Sequence, residues 1–350
     1  MKKVIKIIAK VLGMLFLWIL NTAVIALAGF LVVIYFVSKG PSTQIRNLFV
    51  TSVRETSAAG FLADIFLTDE EVMEIVTANV TDAGETQTDT SLLDFGSNSE
   101  ENKEEVSDTV AGEVEEEEPI EIVTVKGALY NGKMMIIKDP SRVKVGVCDK
   151  FDRTKAGMTL LEICDKYDAI AGINGGRYYD DYGFGKGGEP KGIVFSEGKL
   201  VYGDLWTTYD IYGFDKNNVF ICGRMTGQQA VDMGFRDAVT FGPALVVNGQ
   251  AVDSVGTGGG LNPRTAIGQR ADGSVLLLVI EGRQTSSIGA SYMDLIEIML
   301  EFGAVNAANL DGGMSSSMAY EGEEIINNCS IKGSRDMPTA FIVERVEEEE

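Results

Sequence analysis

The chain has 350 residues, of which 45% are hydrophobic, enough for one large domain or two small ones. Its formal net charge of −22 excludes the basic face on which nucleic-acid binding depends. The absence of histidine excludes Ser-His-Asp and Cys-His catalysis, most zinc sites and histidine-based phosphoryl transfer. Acid and base chemistry must therefore come from carboxylates, tyrosines, lysines or cysteines.

The first 40 residues predict a membrane anchor. Four lysines within the first ten residues precede an apolar run from Val11 to Val37, which as a helix reaches about 40 Å and can cross a hydrocarbon core of about 30 Å. A cleaved signal peptide is the alternative, with a small-residue site at residues 26–28, but the length of the run favours an uncleaved anchor. The lysines place the N-terminus in the cytoplasm of a single-pass cell-membrane protein whose C-terminal domain is extracellular.

Residues 41–77 form the next predicted segment, with apolar residues at helical spacing. Thr68 and Glu71 make a capping box that marks the start of a second helix. Two interpretations stay open: a juxtamembrane helical hairpin that lies on the bilayer or binds a partner, and a plain stalk.

Residues 78–119 predict a disordered acidic linker. Between positions 81 and 118 there are 14 Asp or Glu residues and one lysine, in a stretch with few aromatic residues. Such a segment is a flexible tether that would let an outer domain reach into the cell envelope. The four glutamates at 347–350 form a second, short acidic tail.

Residues 120–346 predict one globular domain. A first hairpin is expected across Asn131-Gly132, and a capped helix begins at Thr159. A second helix is expected over Ser291 to Phe302, followed by a buried strand from Ala304 to Leu310. With two helices among some ten strands, the predicted class is α+β, with a mixed or mainly antiparallel sheet behind a single N-terminal transmembrane helix.

Polar side chains beside glycines at strand ends are the candidate site. Asp311 and Glu281 stand in such turns, with Asp180 and Asp181 as weaker candidates. Two carboxylates in different environments are the usual apparatus of glycosidic bond cleavage. Three arginines in similar turns offer planar donor forks that suit a phosphate: Arg177, Arg264 and Arg283.

The four cysteines lie in the predicted extracellular part and lack metal-ligand spacing: Cys148, Cys164, Cys222 and Cys329. Two disulfides and buried free thiols are both compatible with the sequence.

These turns, taken in order, resemble the phosphodiester glycosidase family over roughly residues 140–345. The resemblance rests on five stretches: residues 174–176, 241–249, 262–268, 281–284 and 309–316. It implies hydrolysis of the bond between a sugar and a phosphodiester, with a phosphodiester-linked glycan or glycolipid as substrate. Bacterial relatives of this kind are associated with exopolysaccharide, which suits an anchored domain facing the cell envelope.

The resemblance also implies roles for individual residues. Asp311 and Glu281 would be the acid/base pair, without a decision as to which is which, and Arg264 would clamp the phosphate. The remaining substrate-binding or phosphate-binding residues are Asn174, Gly175, Arg177, Thr265, Arg283, Gly312, Ser315 and Ser316.

Two other functions remain open. The first is a non-catalytic carbohydrate-binding or exopolysaccharide-assembly protein on the same fold. The second is a metal-dependent phosphodiesterase that cuts the P–O bond, since Asp and Asn side chains can hold Ca²⁺ or Mg²⁺. The sequence leaves metal dependence undecided, and the favoured glycosidase requires no cofactor.

Overall fold

The computed structural model describes residues 2–56, 59–82, 84, 87–90, 120–181, 185–330 and 333–346. The acidic tail 347–350 and the linker from 91 to 119 lie outside the described residues. The α-helices of the described part are α1 Lys2–Lys39, α2 Thr43–Arg54, α3 Asp69–Thr77, α4 Leu160–Lys166, α5 Gly227–Met233 and α6 Tyr292–Glu301. Short 3-10 helices span Gly60–Ile65, Pro140–Arg142 and Gly313–Ser315.

Nineteen strands complete the described elements. They are β1 Thr81–Asp82, β2 Ile120–Lys126, β3 Asn131–Ile137, β4 Val143–Val147, β5 Ala169–Asn174, β6 Val194–Ser196, β7 Lys199–Tyr202, β8 Thr208–Asp215, β9 Phe220–Thr226, β10 Phe235–Thr240, β11 Ala244–Val247, β12 Gln250–Ala251, β13 Asp253–Ser254, β14 Arg264–Arg270, β15 Val275–Ile280, β16 Ala304–Leu310, β17 Met318–Tyr320, β18 Glu323–Glu324 and β19 Thr339–Glu344. Every strand pair is antiparallel, so the predicted α+β class with a mainly antiparallel sheet is confirmed.

Three sheets enclose the main core. A seven-stranded sheet has the order β12-β11-β16-β14-β15-β3-β2, and the two five-stranded sheets have the orders β7-β6-β10-β8-β9 and β18-β17-β5-β19-β4. Leu277, Phe214 and Phe341, one from each sheet, are fully buried in one cluster. On its other face the seven-stranded sheet packs against α6 through residues such as Leu295 and Met299.

Capping signals placed the starts of three helices correctly. Thr68, Thr159 and Ser291 each close a capping box at the start of α3, α4 and α6. The expected hairpin between the first two strands of the domain forms as β2 and β3, but the predicted position of its turn is wrong. Asn131 and Gly132 lie inside β3, and the turn is formed by residues 127–130, where the Gly127 amide donates to the Tyr130 carbonyl.

The segment after the apolar helix packs onto the domain. The Leu261 amide of the domain donates to the Ser52 hydroxyl in α2 at 2.9 Å. The end of α1 contacts the same segment, where the Tyr35 and Phe66 rings meet edge to face at 5.4 Å. Within the predicted disordered linker, Thr81 pairs with Ser254 as part of β1, and the Thr88 hydroxyl accepts from the Cys222 amide. The linker prediction is therefore wrong for these first residues, whose backbone gains partners from the domain that composition does not reveal.

Helix α1 is the one described helix long and apolar enough to cross a membrane, over Lys3–Lys39. Length and composition make it a candidate span or signal sequence.

Candidate active site

A cavity of about 600 Å³ opens where strands from different sheets end. Asp311 follows β16 and leads into the 3-10 helix Gly313–Ser315. Thr265 pairs with Leu310 in the antiparallel ladder, which places Arg264 beside Asp311 at the same sheet edge. The Asp311 amide donates to the Gly175 carbonyl after β5, so two sheets meet beneath the carboxylate.

Asp311 is the central carboxylate of the cavity. It is half-buried, and its Oδ1 accepts from the Gly312 amide at 3.0 Å. Lost hydration raises the pKa of Asp311 to about 6, against the opposing effects of hydrogen bonds from Ser315 and Gly312 and the charge of Arg335. A carboxylate with this pKa exchanges protons near neutral pH, as an acid or base catalyst requires.

A second carboxylate, Asp180, lies in the same cavity and pairs with Arg335. The two bonds are 2.8 and 3.1 Å long and form a bidentate fork. The charge of Asp180 contributes to the raised pKa of Asp311. Arg335 also lies 5.5 Å from the Tyr178 ring, whose hydroxyl is 3.0 Å from Ser315 Oγ. Burial raises the pKa of Tyr178, so this hydroxyl stays protonated and serves as a hydrogen-bonding group.

Arg264 is almost fully buried, and its charge is neutralised by Glu55, in the segment that follows α2. Its Nη2 donates to Glu55 Oε2 at 2.6 Å and to the Gly260 carbonyl at the same distance, and its guanidinium stacks on Tyr292 at 4.0 Å. The amide nitrogen of Asn262 donates to the same Glu55 oxygen at 2.9 Å.

The neighbouring Arg283 also contacts this segment. Its Nη2 donates to Thr56 Oγ1 and to Asn262 Oδ1, both at 2.8 Å. Two of the three arginines predicted to hold phosphate thus bind residues 55–56, which line the cavity with them.

The third predicted arginine, Arg177, is exposed at the mouth of the cavity. Its guanidinium lies 5.3 Å from the centre of the Phe241 ring. Within the described residues it pairs with no carboxylate, and it remains available to an anionic ligand.

A model of the phosphodiester glycosidase family matches residues 167–344, which is 178 of the 350 residues. The chain belongs to the phosphodiester glycosidase family. The matched region contains most of the cavity, but Glu55, Thr56 and Arg153 line it from outside that region.

Two relatives place this family domain among known proteins. The SPbeta prophage-derived uncharacterized protein YomE of Bacillus subtilis (strain 168) is 30% identical over 187 residues, which cover 49% of this chain and 27% of YomE. The chain thus spans about a quarter of that relative. The catalytic domain of zebrafish N-acetylglucosamine-1-phosphodiester alpha-N-acetylglucosaminidase, auto-inhibited by its pro-peptide, superposes with a TM-score of 0.52 at 18% identity, covering 65% of this chain and 82% of that domain. This second likeness shows a shared fold.

Five predicted site residues of the phosphodiester glycosidase domain line the cavity with Asp311: Arg177, Arg264, Arg283, Gly312 and Ser315. Glu281, predicted as the catalytic partner of Asp311, does not line it. Glu281 is 9% exposed and its Oε1 accepts from the backbone and side-chain nitrogens of Asn327 at 3.0 and 2.9 Å. The position of Glu281 at a strand end did not predict the direction in which its side chain points.

Asn174 lies beneath the cavity rather than in its lining. Its Nδ2 donates to the Asp311 carbonyl at 2.5 Å, and its Oδ1 accepts from the Thr265 hydroxyl at 2.7 Å and the Ser317 amide at 3.1 Å. The side chains of Asn174 and Thr265, both predicted to bind substrate or phosphate, are therefore occupied by protein groups. Gly175 packs so closely that a Cβ there would lie 2.6 Å from the Thr339 carbonyl oxygen.

Ser316, the last predicted residue, is buried below the cavity lining. Its hydroxyl has no hydrogen-bonding partner among the described residues.

Sequence reasoning missed several residues that shape the cavity: Glu55, Tyr178, Tyr179, Asn262, Lys191 and Arg335. Asn262 stood within a recognised motif, and Asp180 was named as a weak candidate. Arg335 and Glu55 lie far from any motif, and only the folded chain brings them to the cavity.

The described residues contain no group of three or more His, Cys, Asp or Glu side chains that could hold a metal ion. All four cysteines are free thiols, three of them buried. Burial raises the pKa of Cys164 to about 12, which keeps this thiol protonated and unreactive.

Proposed function

We propose that this chain is a membrane-anchored hydrolase that cleaves the glycosidic bond of a sugar 1-phosphodiester outside the cytoplasm. Its substrate would be an envelope glycopolymer or glycolipid, such as an exopolysaccharide. The observation that carries the proposal is Asp311, a carboxylate with a pKa of about 6 in a cavity that also presents Arg177, Arg264, Arg283 and Arg335. Membership of the phosphodiester glycosidase family supports it.

In the proposed reaction, ionised Asp311 accepts a proton from a water molecule whose oxygen attacks C1 of the sugar. The C1–O bond breaks, and its electron pair leaves with the phosphate oxygen. The products are free sugar and a phosphomonoester. A phosphate leaves without a proton at neutral pH because its second pKa is near 6. One base and a set of arginines therefore suffice, and Glu281 is not needed as a proton donor.

The arginines would stabilise the charge that develops on the leaving phosphate. In the structure, Glu55 accepts a hydrogen bond from Arg264, and Thr56 accepts one from Arg283. We propose that these two residues stand in the phosphate position and must be displaced by substrate. The zebrafish domain, described as auto-inhibited by its pro-peptide, supports this arrangement for the fold.

The test is hydrolysis of UDP-N-acetylglucosamine by the full chain in detergent, in H₂¹⁸O, with and without EDTA. Free N-acetylglucosamine carrying ¹⁸O, together with unlabelled UDP, is the expected result. N-acetylglucosamine 1-phosphate and UMP would instead assign a phosphodiesterase. Turnover by Asp311→Asn equal to that of the parent chain would remove Asp311 from the mechanism, and no turnover of this substrate or of envelope glycopolymers would favour a binding protein.

A further inference from the structure

A second cavity of about 800 Å³ adjoins the candidate active site. Arg177, Tyr179 and Lys191 line both cavities and form the border between them. The two spaces therefore meet along three side chains, and a ligand longer than one sugar can extend from one cavity into the other.

The border carries two exposed cations. The Lys191 amide donates to the Arg177 carbonyl at 2.8 Å, so the two residues are held side by side by their backbones. Neither side chain pairs with a carboxylate in the part of the chain that the structure describes. The Lys191 ammonium instead lies 5.7 Å from the centre of the Tyr179 ring. Two adjacent positive charges without a protein counter-ion suit a phosphate group.

The second cavity presents aromatic rings beyond these cations. Tyr202 donates its hydroxyl to Glu189 at 2.9 Å, and the Tyr209 hydroxyl accepts from the Asp204 amide at 3.0 Å. These bonds fix the orientation of both rings.

Two carboxylates line the same cavity, and a further exposed aromatic residue lies on the loop that carries one of them. Asp204 and Asp210 line the cavity. The Asp204 Oδ1 accepts from the Trp206 and Thr207 amides, whereas Asp210 supplies a carboxylate acceptor. Trp206, on the same loop as Asp204, is 77% exposed. Fixed aromatic faces with nearby hydrogen-bond acceptors match a sugar ring, which has apolar faces and a rim of hydroxyl donors. An acyl chain has no hydroxyl groups that could donate hydrogen bonds to these polar side chains.

We propose that the second cavity is a subsite for the neighbouring sugar-phosphate unit of the substrate, with its phosphate between Arg177 and Lys191 and its sugar against Tyr202 and Tyr209. This inference rests on the proposed function and narrows it. The substrate class is an oligomer or polymer of sugars joined by phosphodiesters, in preference to a single sugar linked to a lipid through one phosphate.

The test compares synthetic oligomers of N-acetylglucosamine 1-phosphate that contain one, two or three phosphodiester bonds. For the full chain in detergent, kcat/KM is expected to rise about tenfold from one bond to two, which corresponds to about 1.4 kcal/mol. Lys191→Met and Tyr202→Ala should each bring this ratio toward one. Lys199→Met, which removes an exposed lysine outside the cavity, is the matched control and should keep the full ratio.

A binding measurement separates this inference from the proposed reaction. Calorimetric titration of the inactive Asp311→Asn chain with the same oligomers should give tighter binding of two units than of one, and Lys191→Met introduced into that chain should remove the difference. Turnover without any dependence on length would overturn the subsite and leave the glycosidase intact. Length-dependent binding without turnover of any oligomer would keep the subsite and reject the glycosidase.

Discussion

Glu55 and Arg264 form an ion pair of 2.6 Å across 209 positions of the sequence. The arginine side chain is 5% exposed and the glutamate side chain 27%, so the pair lies at the inner wall of the cavity. An anionic substrate that binds Arg264 must compete with a carboxylate that belongs to the same molecule.

Glu55→Ala is expected to raise kcat/KM for a sugar phosphodiester, mainly through a lower KM. Removal of a competing ion pair worth about 1 kcal/mol corresponds to about a fivefold change. The free energy of unfolding should fall by about 1–3 kcal/mol, because Arg264 is left buried without its counter-ion. Steady-state kinetics and thermal unfolding measure the two effects.

Asp149→Ala is the matched control for this variant, since it removes the exposed ion pair with Lys166. It should change neither quantity measurably. A Glu55→Ala chain that loses stability and shows no gain in activity would mean that the pair serves the fold alone.

The pH dependence of hydrolysis should report the ionisation of Asp311. Its pKa is raised to about 6, and the proposed base acts only when ionised. We expect kcat/KM to be constant above about pH 7 and to fall tenfold per pH unit well below pH 6. Asp165→Asn on the exposed face of α4 should leave the profile in place. A rate that rises as the pH falls from 7 to 5 would assign Asp311 as the acid.

Asp311→Asn should stabilise the protein at neutral pH while it removes activity. The folded pKa of about 6 lies above the ordinary aspartate pKa of 3.8, so folded chains bind more protons between these values and stability falls as pH rises through that window. The Asp311→Asn chain does not lose stability in this way, because its side chain does not ionise. We expect a gain of about 1–2 kcal/mol at pH 7.5, after allowance for solvent screening of a half-buried group.

Thermal unfolding at pH 7.5 and at pH 4 measures this effect. The gain should shrink towards pH 4, where most of the Asp311 population is protonated in the folded state and much of it is in the unfolded state as well. Asp165→Asn is again the control. Equal unfolding temperatures for the parent and Asp311→Asn at pH 7.5 would show that burial of the ionised Asp311 carboxylate does not lower the stability of the protein.

Asn174→Ala should weaken both the fold and the site. It leaves the Thr265 hydroxyl, the Ser317 amide and the Asp311 carbonyl without partners in a region with little water. Loss of buried hydrogen bonds at about 1 kcal/mol or more each predicts a fall of about 2–4 kcal/mol in the free energy of unfolding.

Kinetics distinguish a positioning role from a purely structural one. Because Asn174 holds the turn that carries Asp311, kcat should fall more than KM changes, at a temperature where the variant is folded. Gln250→Ala, which removes an exposed amide in β12, should match the parent chain. A folded Asn174→Ala chain with the parent's kcat would refute the positioning role.

The sequence predicted those parts of the fold in which local chemistry agrees with the final structure. Helix α6 combined an amphipathic pattern with the Ser291 capping box, and the next strand delivered Asp311 to the sheet edge. The first hairpin formed, but its turn was not at Asn131-Gly132, because pairing of both residues with the neighbouring strand overrode a local turn preference.

The candidate site was harder to predict because its parts come from distant segments. Asp311 and Arg177 stood in recognisable turns, whereas Arg335 reaches the cavity from a position without a motif. Glu281 shared the turn chemistry of Asp311, yet Asn327 binds its side chain. Composition assigned residues 78–90 to a disordered linker, but the edge of β13 and the Cys222 backbone offered partners to Thr81 and Thr88.

The separation of Glu55 from Arg264 also fixes an order of events during synthesis. At about 5–20 residues per second, a ribosome needs roughly 10–40 s to reach Arg264 after it has made Glu55. Glu55 has therefore already been synthesised when Arg264 leaves the ribosome. The ion pair with Glu55 can form as soon as Arg264 is made, so under the proposed function Arg264 becomes available to a phosphate only when the substrate displaces Glu55.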